Sequence, residues 1–199
     1  LILEAKRLTV AAVEGKLQTR GNPDLVSNEF RPIVEGVNAT LDAVIGPLNV
    51  AAEYVDRISK GDIPAKITDT YNGDFNEIKN NLNVCIDAVS ALVKDANTLS
   101  KAAVEGRLAT RADATKHQGD FRKIVEGVND TLDAVINPLN VAAEYVDRIS
   151  KGDIPAKITD TYNGDFNEIK NNLNQCIDAV NALVTDANML SKAAVEGRL

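Results

Sequence analysis

The chain has 199 residues, 44% hydrophobic but only 4% aromatic and without Trp, a composition that can bury a core and suits long helices better than packed sheets. A net charge of −7, with Lys and Arg scattered among the acids, speaks against nucleic acid as a partner, since phosphate binding needs a basic stripe. No run approaches about 18 uninterrupted apolar residues, and the opening LILEAKRLTV meets a charge at Glu4, so neither a spanning helix nor a signal peptide is expected.

Internal repetition organises the rest. Residues 47–83 and 138–174 are identical over 37 positions, a long period of 91. Inside it, Gly15, Gly61, Gly106, Gly152 and Gly197 recur at steps of 46, 45, 46 and 45, and Phe30, Phe75, Phe121 and Phe166 keep a similar step. The predicted units are therefore 1–45, 46–90, 91–136 and 137–182, with the opening of a fifth in 183–199. Two kinds alternate: units 1 and 3 carry AAVEG at their glycine, units 2 and 4 carry DRISKGD. The fifth, AAVEGRL, repeats residues 102–108, so the chain reads as a fragment of a longer array whose effector lies elsewhere.

Each unit predicts two helices, and the class is all-α. The first helix of unit 1 ends at Gly15; counting back from each Gly, −10 is Ala in all five copies (Ala51 and Ala142 in units 2 and 4). Position −7 is Leu8, Tyr54, Leu99, Tyr145 or Leu190, and −3 is Ala12, Ile58, Ala103, Ile149 or Ala194, a 3-4-3 stripe that marks one buried face. A glycine at the helix end fits a left-handed cap.

After a connector, the second helix opens at Glu29-Phe30, Asp74-Phe75, Asp120-Phe121 and Asp165-Phe166, where the acid can accept from free N–H groups at the positive helix end. From each Phe, +3 is Ile33, Ile78, Ile124 or Ile169, +7 is Val37, Leu82, Val128 or Leu173, and apolar residues follow at +11 and +14. These steps depart from strict heptads by a stutter. Pro32 sits in a first turn, where it is tolerated; Pro47 and Pro138 should kink the rod or restart it, and so mark unit boundaries. Between Phe75 and Glu105 there is neither Gly nor Pro, so one helix should run through. Gly36 and Gly127 lie mid-helix, which suggests tight packing.

From Gly61 to Gly73 the connector has 13 residues, enough for ~43 Å of extended chain against the ~21 Å rise of a 14-residue helix. It can return along the first helix, making the two helices parallel. Ile63 and Ile67, or Ile154 and Ile158 after Gly152, are then apolar pegs; units 1 and 3 offer Leu17 or Leu108, then Gly21 or Ala112. Two such helices bury too little surface alone, so a second copy is the expected partner, giving stacked parallel four-helix bundles in a homodimer with two helices per chain per unit.

The chemistry-bearing residues read as structural. Cys85 and Cys176 occupy one repeat position, which excludes a disulfide within a unit. One His and two distant Cys make no zinc set, and His117 in its connector is expected at the surface. Glu53, Asp56, Asp87 and Asp95 repeat as a solvated face. The sequons at Asn38 and Asn129 stand alone, KGDIP and NGD are turn signals, and no nucleophile constellation appears. No catalysis, cofactor, metal or small-molecule ligand is expected.

The prolines that open units 2 and 4, Gly61 followed by Ile63 and Ile67 (Gly152, Ile154 and Ile158 in unit 4), the acid before the second helix, and an Asn eight residues after its Phe (Asn38, Asn83, Asn129, Asn174) together resemble the HAMP domain. The resemblance covers essentially the whole chain as a tandem array; the second-helix start reads GDFN, GDFR or NEFR. It implies a parallel dimeric bundle, in the cytoplasm, that relays conformational change between flanking sensor and output domains of receptors, sensor histidine kinases or cyclases. The residues expected to carry the switch are Ala51, Ile58, Phe75, Ile78, Leu82 and their counterparts Ala142, Ile149, Phe166, Ile169, Leu173, with the pegs Ile63 and Ile67. A passive dimerising stalk is the alternative.

Overall fold

The computed structural model describes residues 1–198. It is all-helical, with no strand among the described residues, and divides into two compact bodies, Leu1–Asp95 and Ala96–Leu199. Among the described residues, no helix is long and apolar enough to cross a membrane.

The first body opens with α1 (Ile2–Val13), followed by a connector with a short 3-10 turn at Pro23–Leu25. The helix α2 (Arg31–Ser59) serves as second helix of unit 1 and first helix of unit 2, and α3 (Gly73–Val104) begins as second helix of unit 2. The second body contains the last residues of α3, a connector with a 3-10 turn at Ala114–Lys116, α4 (Gly119–Ser150) and α5 (Gly164–Val195). α3 is unbroken, as the absence of Gly and Pro predicts. The restart at Pro47 and Pro138 does not occur, because both prolines lie inside helices. A mid-helix proline loses one N–H bond; here the ring is half-buried and lines one small hollow with Ala51, Ile67, Phe75 and Ile78, so packing offsets the loss.

That hollow also establishes direction. Pro47 and Ala51 open the first helix of unit 2, and Phe75 and Ile78 open its second, so the two helices start at one level and run parallel. Pro138, Ala142, Phe166 and Ile169 repeat the arrangement in unit 4.

Every first helix ends the same way. The Gly adopts a left-handed φ of 66 to 80°, and the next residue donates back to the carbonyl five positions earlier, as in Asp62 N–H to Arg57 at 3.0 Å. This is a Schellman closure. Glycine is needed again where the second helix begins: Gly73, Gly119 and Gly164 have φ of 53 to 54°. Unit 1 has Asn28 at that position, and its helix starts later, at Arg31, with Phe30 as cap.

Candidate functional site

The buried residues do not follow the predicted stripe in units 1 and 3. Val34 and Val125 (3% exposed each), Ile45 and Ile136 are buried, one residue beyond the predicted +3 and +14 positions. Likewise Ala11 and Ala102 are buried, whereas Ala12 and Ala103 are exposed. Residues of the expected stripe stay open on the single chain: Phe30, Ile33, Val37 and Val44 are 41 to 49% exposed, and Ile124, Val128 and Val135 match them.

Two faces of the second helix explain the shift. Positions +4, +8 and +12 from Phe also follow helical spacing and face the connector, joined at +15 by Ile45 and Ile136 in units 1 and 3. At +8 stands Asn in every unit, and its side-chain amide pairs with both the backbone N–H and the carbonyl of one connector residue. Asn83 accepts from Ile67 N–H at 2.8 Å and donates to its carbonyl at 3.0 Å; Asn174 does the same to Ile158. Asn38 holds Gly21 and Asn129 holds Ala112. One turn further, the Asp at +12 pairs with the connector cation just before that peptide: Arg20–Asp42 at 2.7 Å, Lys66–Asp87 at 2.5 Å, Arg111–Asp133 and Lys157–Asp178 at 2.6 Å. The carboxylates are exposed, and such pairs are weak individually. The peptide clamp is different, because it satisfies backbone groups taken from water.

Position +4 completes the clasp in two ways. In units 2 and 4 the peg is Ile67 or Ile158, each 6% exposed, and +4 is Lys79 or Lys170, whose ammonium donates to a connector carbonyl, Asp69 or Asp160. In units 1 and 3 the peg is Gly21 or Ala112, and the buried apolar group comes from the helix as Val34 or Val125. A Cβ on Gly21 would lie 2.8 Å from Val34 Cγ1. One seat is thus filled from the connector in one unit type and from the helix in the other.

The remaining expected residues fall as follows. Ile63 and Ile154 are half-buried, and beside them Pro64 and Pro155, which sequence reasoning missed, are buried. Ala51, Ile58, Phe75 and Leu82 are half-buried, as are Ala142, Ile149, Phe166 and Leu173; Ile78 and Ile169 are 37% and 36% exposed. Asp74, Asp120 and Asp165 lie in the first turn of their helices, where the dipole favours them. The cap positions of α4 and α5 are Gln118 and Asn163, and neither caps through its side chain. Glu29 lies before its helix, which has no acid in its first turn. Cys85 and Cys176 are exposed. His117 is 5% exposed, not at the surface; it takes the connector position that Tyr71 and Tyr162 hold in units 2 and 4. Gly36 and Gly127 have open space where a Cβ would stand, so packing within the chain does not require them.

Asp87 is exposed as expected of a solvated face, but it also has a partner. At the helix ends of units 2 and 4, Arg57 and Arg148 bond Asp62 and Asp153 at 2.6 and 2.7 Å and hold both carboxyls below their ordinary range.

The chain matches the HAMP domain family twice, over residues 26–91 and 116–182. It belongs to that family, with its domains in tandem; the family is one of helical, non-catalytic signal-relay domains found in receptors. No solved structure matches it.

Proposed function

We propose that this chain is a relay: a parallel homodimer, each unit a four-helix bundle, passing a change of packing along the array between sensor and output domains. The observation that carries the reading is the row of open apolar side chains from the cap of α2 along its length, Phe30, Ile33, Val37 and Val44, repeated on α4. Contiguous exposed apolar surface is unusual on a monomer, and a second copy of the same helices in register covers it. Four helices per level then form a core whose stuttered spacing admits more than one packing. The units are those bounded at 45, 90, 136 and 182, and the relay operates in the cytoplasm without catalysis or ligand.

Junctions support the relay, because α2 and α4 each serve two consecutive units without a break. A bias of about 1–3 kcal/mol per junction is what coupling requires. The residues assigned to the switch are Phe75, Ile78, Leu82, Ala51 and Ile58, their counterparts in unit 4, and the pegs Ile63 and Ile67.

The test has two arms. With Cys85 and Cys176 replaced, single cysteines at Phe75, Phe121 and Phe166 should each link to the same site of a second chain. Absence of linking at all three overturns the parallel dimer. In a receptor carrying the array, Ile63→Asp should alter output more than dimer stability; equal loss of both, with output unaffected by exchanging unit types, favours a passive stalk.

A further inference from the structure

In every unit the connector is fastened to the second helix by the Asn clamp and the Asp pair. In unit 1 it is fastened to the first helix as well. Glu4 of α1, 5% exposed, accepts from Asn22 N–H at 3.0 Å. Arg7, paired with Glu4 at 2.8 Å, donates to the Arg20 carbonyl. Between these two ties sits Gly21, held by Asn38 of α2, while the Arg20 side chain reaches Asp42. Three consecutive connector residues are thus gripped alternately by both helices.

Units 2 and 4 cannot build this grip. The position of Glu4 is taken by Val50 and Val141, half-buried and without a polar atom, and the position of Arg7 by the exposed acids Glu53 and Glu144. There the connector meets its first helix through apolar pegs, which are non-directional contacts that survive a small slide or rotation, and through the Arg57–Asp62 or Arg148–Asp153 clip at the helix end itself. Hydrogen bonds with charged groups are short-ranged and angular, so they fix what apolar contact leaves adjustable.

We infer that unit 1 is a locked unit, whose two helices move as one body through the Glu4–Arg7 latch, and that units 2 and 4 are adjustable units in which the first helix shifts against the connector and second helix. Resting on the relay reading, this assigns rigid transmission to unit 1 and change of packing to units 2 and 4. The latch is a property of the single chain and can be tested without any output.

Nitroxide pairs at equivalent exposed sites, Lys6 with Glu35 in unit 1 and Ala52 with Asn80 in unit 2, report the separation of first and second helix. They are placed on the full chain with Cys85→Ser and Cys176→Ser, diluted with unlabelled chains so that only distances within a chain count. The expected result is a narrow distribution in unit 1 and a broader or two-peaked one in unit 2. Glu4→Val with Arg7→Glu should broaden unit 1, and Val50→Glu with Glu53→Arg should narrow unit 2. Equal widths in the parent chain, or no broadening in the unit 1 variant, overturns the proposal. Should that variant unfold, Glu4→Gln serves instead: the Asn22 amide should exchange with solvent faster by on the order of tenfold, with the Ile67 amide unchanged. Unchanged Asn22 exchange sinks the latch. A locked unit 1 in a receptor whose output ignores the array would sink the relay and leave the latch standing.

Discussion

Asn83 and Ile67, 16 residues apart, are joined by two hydrogen bonds, N–H to Oδ1 at 2.8 Å and Nδ2 to the carbonyl at 3.0 Å. One side chain thereby satisfies both backbone polar groups of a connector residue whose own side chain is buried. Asn83→Ala leaves both groups short of a partner and should cost about 1–3 kcal/mol. Urea unfolding of the variant checks the figure, and amide exchange at Ile67 checks the mechanism: a loss of stability with undisturbed Ile67 exchange would refute the clamp.

The shared apolar seat predicts coupled substitutions. Gly21→Ile alone should destabilise unit 1, since even a Cβ there meets Val34 at 2.8 Å. Adding Val34→Lys, the combination found in units 2 and 4, should recover most of the loss. Additive effects in the double-mutant cycle would mean that the two positions do not share one space.

In units 2 and 4 the connector supplies that seat itself. Ile67→Ala and Ile158→Ala should each cost about 2–5 kcal/mol, as expected for a large-to-small change in a packed core. A cost near that of a surface substitution would show that the peg is not a core residue.

Acid should loosen unit 1 through Glu4. Hydrogen bonds from Arg7 and from the Asn22 N–H hold its carboxyl below the ordinary range. With a folded pKa below the unfolded one, its contribution is fully present above the unfolded pKa and is lost as pH falls through the folded value. Stability should therefore drop more between about pH 7 and about pH 3 in the parent chain than in Glu4→Gln. Equal drops would remove Glu4 from the account.

Gly36 and Gly127 have no neighbour within 4 Å of a built Cβ. Alanine at either should therefore stabilise the helix by about 1 kcal/mol. A gain confirms that the position faces solvent; a loss reveals a surface from another chain packed on the glycine.

Much of this architecture was legible in the residues. The capping glycines, the unbroken α3 and the return of the connector followed from spacing and the placement of Gly and Pro. The clasp was not: the Asn at +8 stood out only as part of the family resemblance, and a search for periodic apolar residues gives neither its bonds to the connector nor the Asp at +12. The signal was nevertheless present, as Asn at +8 and Asp at +12 in all four units. Of the two outcomes expected at Pro47, a kink or a restart, the restart is excluded, because the cost of the proline to the helix is visible in sequence whereas the packing that offsets it is not. His117 misled because residue type suggested the surface and only its repeat position, shared with Tyr71 and Tyr162, pointed inward.

The exchange of Ile67 and Lys79 for Gly21 and Val34 keeps both members of each pair inside one unit. No compensating pair is split when a 45-residue unit or a 91-residue block is inserted or removed. Arrays of this kind can therefore lengthen or shorten by unequal recombination between near-identical repeats without leaving an overfilled or hollow clasp at the new seam, so the number of units is free to vary while each unit stays intact.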